Sequence, residues 1–273
     1  MPKILLTNDD GVRRPGLWSL YYALQHLGDV TIVAPESMRS ATGMSLTLHK
    51  PLRLRQVIHN GERAYSVSGT PSDCIILGIR RILRGRKPDI VVSGINEGEN
   101  ASSQAIYGSG TVAAAIRAAI LGIPAIAFSQ ALPEKGGISG RQLKAMMGEA
   151  AKVAAEIVGW VMENGLPEGV DYLNVNFPEK LSSTTPIRIT RVLKARYVEM
   201  VLERRDPKNK PYYWIYGELF PREKFTVDSD VHSLFVEGTI SISPMKVDSS
   251  AGVEPAKLAG LVERINRGRT AWP

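Results

Sequence analysis

Apolar residues come in two patterns along this chain: short unbroken runs, and longer stretches in which they recur every three or four positions. Ile4-Leu5-Leu6-Thr7 is an unbroken run, and it stops on Asn8-Asp9-Asp10-Gly11. Such a run predicts a strand buried on both faces, the kind found in parallel sheets. Pro15 through Leu27 reads as a helix, so Asp9 and Asp10 fall where a first strand hands over to a first helix. The alternation repeats. Val30–Ala34, closed by Pro35, reads as a second strand, Ile90–Ser93 as a third, Ala125–Phe128 as a fourth and Asp171–Phe177, stopped by Pro178, as a fifth. Between them lie expected helices from Ser72 to Arg86, from Thr111 to Leu121 and from Gln142 to Asn164. Gly94 to Ile106, rich in Gly, Asn and Ser, reads as a long loop. Strand–helix alternation of this kind predicts an α/β fold with a mostly parallel sheet flanked by helices.

The pattern changes after about Arg191. Residues 194–230 are charged and aromatic, and Tyr212-Tyr213-Trp214-Ile215-Tyr216 reads as one arm of a β-hairpin. Thr239–Ser243 alternates like a half-buried strand, and Glu254 to Asn266 reads as a final helix. The aromatic arm is expected to pack on another subunit rather than fold back on its own core, because exposed aromatic strands need a partner.

Composition adds bounds. With 273 residues, 44% of them apolar, the chain can bury a large core as one or two domains. The single cysteine, Cys74, allows no internal disulfide and suits a reducing, cytoplasmic setting. Pro2-Lys3 leads straight into the first strand, so no secretory leader is expected. The most apolar stretch, Val112 to Phe128, is broken by Arg117, Gly122 and Pro124, which argues against a membrane span. The net charge of +7 favours anionic partners. Its clusters, Arg80-Arg81 with Arg84, Arg86 and Lys87, and Arg204-Arg205 with Lys208 and Lys210, carry no interleaved aromatics. A solvated basic face is therefore expected ahead of a nucleic-acid surface.

The candidate chemistry gathers at strand ends. In open α/β sheets ligands bind outside the carboxyl ends of the strands. Two adjacent carboxylates there repel unless one is protonated or a cation lies between them. The plainer reading is that one caps the helix and the other is solvated. The second strand leads to Ser40 and the third to Asn96, so three strand ends carry oxygen donors. Such oxygens suit Mg²⁺, Mn²⁺ or Ca²⁺. The histidines His26, His49, His59 and His232 are scattered, which speaks against zinc. Tyr107-Gly108-Ser109-Gly110-Thr111 opens the alanine-rich helix, where free backbone N–H groups and two hydroxyls suit a phosphate. Gly108 to Ala113 fits a dinucleotide fingerprint, but no strand leads directly into it. No G-x-S-x-G is present, so a hydrolase nucleophile elbow is absent.

These segments together resemble the SurE family of 5′-nucleotidases and phosphatases. Ile4 to Gly11 looks like its opening signature, and Ala34-Pro35 with Ser40 like its second motif. Ser68-Gly69-Thr70-Pro71-Ser72-Asp73-Cys74, Ser93-Gly94-Ile95-Asn96-Glu97-Gly98-Glu99-Asn100 and Ser109-Gly110-Thr111-Val112 are similar to its later motifs. So are Asn174-Val175-Asn176-Phe177-Pro178 and the stretch from Asp230 through Gly238 to Ser241-Ile242-Ser243-Pro244. Gly108 and Ala113 depart from the family pattern, which usually has Y-S-G-T there and Gly after the Val. The resemblance implies a Rossmann-like core over residues 1–193 and a C-terminal arm, strand and helix over 194–273 used for oligomerisation. It implies one divalent metal, Mg²⁺ or Mn²⁺ (Ca²⁺ could take the same oxygens in a crystal), held by Asp9, Asp10, Ser40 and Asn96. Asp9 and Asp10 would be catalytic, Asp9 as general base. Asn8, Asn100, Ser109, Gly110 and Thr111 would contact the phosphate or the rest of the substrate. The implied reaction is hydrolysis of phosphate monoesters, nucleoside 5′-monophosphates above all, by a homodimer or homotetramer. A broad phosphatase or exopolyphosphatase, and a nucleotide or polyanion binder without catalysis, are the rival readings.

Overall fold

Strand β1, Lys3–Thr7, is buried at every position from Ile4 onward, and the molecule is layered around it. The computed structural model describes residues 1–133, 137–250 and 255–269. In chain order β1 is followed by α1 (Pro15–Leu24), β2 (Asp29–Pro35), β3 (Leu54–His59), β4 (Glu62–Val67) and α2 (Pro71–Leu77). Then come β5 (Ile90–Glu97), α3 (Ser103–Gly108), α4 (Gly110–Ile120), β6 (Ala125–Gln130), α5 (Gly140–Asn164) and β7 (Tyr172–Phe177). The last part holds β8 (Ile187–Ile189), β9 (Tyr197–Arg205), β10 (Pro211–Leu219), α6 (Asp230–His232), β11 (Ile240–Met245) and α7 (Ala259–Arg269).

The main sheet has the order β3-β4-β2-β1-β5-β6-β7-β11-β8. Pairing is parallel from β4 through β7, while β3 joins β4 and β11 joins β7 antiparallel. Successive residues of the central strands bury on opposite faces. Ile4, Leu6, Val92 and Phe128 pack with Leu17, Leu20 and Leu24 of α1 and with Met147 and Val158 of α5. Leu5, Val91, Ala125 and Ala127 pack with Cys74 and Ile75 of α2 and with Val112, Ala115 and Ala118 of α4. Each Leu, Ile, Val, Met or Phe among them contributes roughly 1.5–3 kcal/mol on full burial, and each Ala less. Two buried faces explain why these strands carry no polar alternation.

The structure changes several expected elements. The β3–β4 hairpin at the sheet edge was not expected. It turns at Asn60-Gly61, both with positive φ (50° and 85°), the geometry of a tight hairpin turn. The expected helix from Ser72 to Arg86 is α2, opened by a Thr70–Asp73 capping box, followed by a π-helical turn over Gly78–Ile82. The expected loop from Gly94 to Ile106 does not exist as such: β5 runs on to Glu97, and α3 starts at Ser103. The first helix ends at Leu24 rather than Leu27.

The stretch 194–273 is divided between the sheet and solvent. Its strand β11 enters the main sheet between β7 and β8. Its strands β9 and β10 form a separate two-stranded antiparallel arm, with every residue of Pro211–Leu219 exposed. The expected start of the last helix at Glu254 lies outside the described residues; a 3₁₀ turn over Pro255–Leu258 leads into α7.

Candidate active site

The carboxyl ends of β1, β2 and β5 open on one edge, where β1 runs into Asn8-Asp9-Asp10. Asn8 is fully buried, and its amide is taken up on both atoms by Gly11: Nδ2 donates to the Gly11 carbonyl (3.0 Å), and Oδ1 accepts from the Gly11 N–H (3.2 Å). This brace fixes the turn that presents the acids, which are 3% and 8% exposed. Three segments converge on them. From the loop after β2, the Arg39 N–H donates to the Asp9 carbonyl (2.7 Å); Ser40, the next residue, is exposed. From β5, the Glu97 N–H donates to Asp10 Oδ2 (3.1 Å). From α4, the Thr111 hydroxyl donates to Asp9 Oδ1 (2.5 Å).

The start of α4 touches Asp9 directly. Ser109 caps the helix by accepting from the Val112 N–H (3.1 Å). A Cβ added at Gly110 would lie 2.7 Å from Asp9 Cβ and 2.9 Å from Asp9 Oδ2. Only glycine allows this approach. The backbone of Gly110 and Thr111 faces the same carboxylate, so the positive end of the helix is turned toward Asp9. The hydroxyls of Ser109 and Thr111, expected to meet a phosphate, thus have protein partners: one holds the helix and the other orients Asp9.

Burial dominates the electrostatics. It raises Asp9 above the ordinary carboxylate range, with the Thr111 hydrogen bond acting the other way. Burial, and then the neighbouring Asp9 charge, push Asp10 up to about 7. Arg14 stands close enough to favour the charged form of Asp10, but its guanidinium forms a two-pronged ion pair with Glu97. The acid pair is left short of a counter-charge. Among the described residues no three His, Cys, Asp or Glu side chains cluster as a metal site, so any cation must be completed by neutral oxygens. Asn96 supplies one. Its Nδ2 donates to the Gly98 carbonyl (2.6 Å), and Oδ1 has no hydrogen-bond partner among the described residues. Carboxylate, amide and hydroxyl oxygens of this kind would fit a hard divalent cation.

Asn100 lies in the wall beyond. Its N–H donates to Asn176 Oδ1 (2.8 Å), its Nδ2 to Ser129 Oγ (2.7 Å), and its carbonyl accepts from Asn174 Nδ2 (2.9 Å). His232, in α6, stands 3.9 Å from Glu237 and makes no contact with the acid pair. Sequence reading missed Arg14 and Glu97. They are 83 positions apart, and no local pattern marks two residues that meet only across the sheet edge.

The model of the family described as Survival protein SurE matches residues 4–199. The chain belongs to the SurE family. A protein of Methanothrix thermoacetophila named 5′-nucleotidase SurE is 41% identical over 97% of this chain and 100% of its own length. One of the same name from Thermococcus gammatolerans is 44% identical over 98% of this chain and 99% of its own length. The crystal structure of the SurE protein from Aquifex aeolicus superposes with a TM-score of 0.79 at 38% identity, covering 97% of this chain and 100% of that one. In this SurE chain the quoted motifs around Asp9, Ser40, Asn96 and Ser109 meet at one sheet edge. The Asn174–Pro178 motif supplies the asparagines behind Asn100.

Proposed function

We propose that this edge hydrolyses phosphate monoesters, nucleoside 5′-monophosphates first among them, with one divalent cation. The observation that carries the reading is a buried acid pair without a counter-charge, facing the start of α4 in a chain whose close relatives are named 5′-nucleotidases. Asp9, Asp10, Ser40 and Asn96 would hold Mg²⁺ or Mn²⁺. When bound, that ion lowers the pKa of its water and neutralises phosphoryl charge. Asp9, its carboxylate fixed in orientation by Thr111, would be the group to take up a proton from the attacking water. The first turn of α4 offers its N-terminal dipole where phosphoryl charge builds up. Asn8 keeps the turn closed, and Asn100 lines the substrate's side of the wall. The test is phosphate release from a panel of 5′-nucleotides, an aryl phosphate and a short polyphosphate with Mn²⁺ or Mg²⁺. Faster turnover of 5′-nucleotides supports the reading. Preference for polyphosphate would reassign the substrate, and no release from any of them would refute hydrolysis.

The assembly belongs to the same proposal: a homodimer or homotetramer in the cytoplasm, built from the C-terminal part. On one face of the arm Met200 opposes Tyr216 and Leu202 opposes Trp214. All side chains from Ala256 to Arg267 are exposed, and Leu258, Leu261, Val262 and Ile265 form a half-exposed apolar stripe. A groove of about 320 Å³ beside α4, lined by Ile106, Tyr107, Ile116, Ile120 and Met245 among others, suits the stripe of a second copy. Two copies exchanging this segment would cover both surfaces. The single cysteine is buried, in keeping with a reducing compartment.

A further inference from the structure

The segment from Glu97 to Gly108 links two things that sequence keeps apart: the acid-pair edge and the root of the exposed arm. It leaves β5 just after Asn96, carries Asn100, and ends at the Ser109 cap of α4. Along its length it is fastened to the residues that lead into β9. Glu99 and Arg196 form an ion pair with side chains only 18% and 14% exposed. The Ser103 N–H donates to the Leu193 carbonyl (2.8 Å). Asp230, fully buried, accepts from the Ser102 N–H (2.8 Å) on one oxygen and from the Leu193 N–H (2.9 Å) on the other. Gln104 closes the set. Its Oε1 accepts from the N–H groups of Arg196 (2.9 Å) and Tyr197 (3.3 Å), and its Nε2 donates to the Tyr197 carbonyl (3.1 Å). The Arg196 guanidinium also lies over the rings of Tyr197 (5.7 Å) and Phe235 (5.4 Å).

We infer that Arg196, Glu99 and Gln104 are positioning residues: they seat the Asn96–Ser109 segment against the arm root, so that seating of the arm sets the geometry of the hydrolytic edge. Arg196 is the pivot, because it is the last residue before β9 and makes the partly buried ion pair. An ion pair hidden to this degree is sensitive to loss of one partner, since the other is left without compensation. The bonds of the Gln104 side chain to the Arg196 and Tyr197 backbone then pass any shift of Arg196 to α3, whose last residue, Gly108, directly precedes the cap of α4. A displacement of about 1 Å at a reacting group can cost ~100-fold in rate. This inference rests on the hydrolase reading, but its structural half does not.

The experiment combines kinetics with hydrogen exchange on Glu99→Gln, Arg196→Met, the double variant and Gln104→Leu, all in the full chain. With AMP and Mn²⁺, kcat should fall about 10–100-fold in each single variant, the range of residues that orient ligands from behind. KM should stay within about threefold, because no substrate contact is removed. The double variant should be no slower than either single, as expected of one shared interaction. Gln104→Glu keeps both accepted bonds but sets an acceptor against the Tyr197 carbonyl, so it should retain more of the rate than Gln104→Leu and less than wild type. Amides of residues 98–104 should lose protection while those of β1 keep it. Single variants within twofold of the wild-type kcat would overturn the inference, and so would additive losses in the double variant. If the wild-type chain released no phosphate, the hydrolase reading would fail by itself. The exchange data would then decide the fastening, with unchanged protection of residues 98–104 overturning it.

Discussion

The acid-pair edge and the C-terminal arm are opposites in how their residues find partners. At the edge the side chains around the acids are held by specific bonds: Asn8 to Gly11, Thr111 to Asp9, Glu97 to Asp10 and to Arg14. What remains open is a charge, on two buried carboxylates. In the arm, backbone pairing is complete from Tyr197↔Leu219 to Arg205↔Pro211, yet the side chains have no cover; Trp214 is 61% and Ile215 79% exposed. What remains open there is apolar surface. Each region is therefore incomplete in a different currency, charge at one and area at the other; under the proposed function a small cation with an anionic substrate would complete the first and a second copy the other.

Asp10→Asn should break the edge most severely. Activity with AMP should fall at least ~100-fold, more than the roughly 10–100-fold typical of residues that only orient ligands. The metal-free variant should melt no lower than wild type, because a like-charge contact has been removed. Near-normal hydrolysis at saturating Mn²⁺ would dismiss the metal assignment. Gly110→Ala comes next. The added methyl would press on Asp9 at 2.7 Å, and the expected result is ~10–100-fold loss of kcat with about 1–3 kcal/mol of destabilisation. Chemical denaturation and steady-state kinetics on one preparation would measure both.

The charge deficit also has a pH signature. The pKa of Asp10 is about 7 in the folded chain, against an ordinary value near 4, so the folded state binds the proton more tightly than the unfolded one. Its contribution to stability is complete below about pH 4 and is lost as pH rises through about 7. Metal-free wild type should therefore lose melting temperature between pH 5 and pH 8 relative to Asp10→Asn. Added Mn²⁺ should reverse that loss at pH 8 and have little effect at pH 5. Parallel melting curves for the two proteins across this range would contradict the account.

The arm should respond in size rather than in stability. Trp214→Glu with Tyr216→Glu should lower the mass in solution from dimer or tetramer to monomer. Melting of the monomer's core should shift little, since within the subunit these side chains stand opposite only their arm neighbours Leu202 and Met200 and belong to no core cluster. A wild-type chain that sediments as a monomer at micromolar concentration would refute exchange through the C-terminal part.

Sequence gave a good account of the sheet and a partial account of the site. Ile4–Thr7 and Ala125–Phe128 were readable because a strand buried on both faces needs an unbroken apolar run. The β3–β4 hairpin escaped despite its Asn60-Gly61 turn. With Arg55, His59 and Arg63 among its residues it holds no unbroken apolar run, and of its two strands only β4 gains cover by pairing with β2. The acid pair stood out because two adjacent carboxylates are costly wherever they are buried. The work of Thr111 did not, since its partner Asp9 is 102 residues away and a hydroxyl at a helix start is equally suited to an anion. Arg14 with Glu97, and Glu99 with Arg196, are hidden for the same reason: each joins segments that meet only after the sheet has formed.

The central claim is that Asp9 and Asp10, with Ser40 and Asn96, hold the one divalent cation on which phosphate-ester hydrolysis depends. The most direct measurement is phosphate release from AMP by the purified full chain during a Mn²⁺ titration, run beside Asp10→Asn. The account predicts saturable release in the wild type, none after chelation, recovery on re-addition of Mn²⁺, and at least ~100-fold less in the variant. Release that persists through chelation, or that Asp10→Asn retains in full, would contradict it.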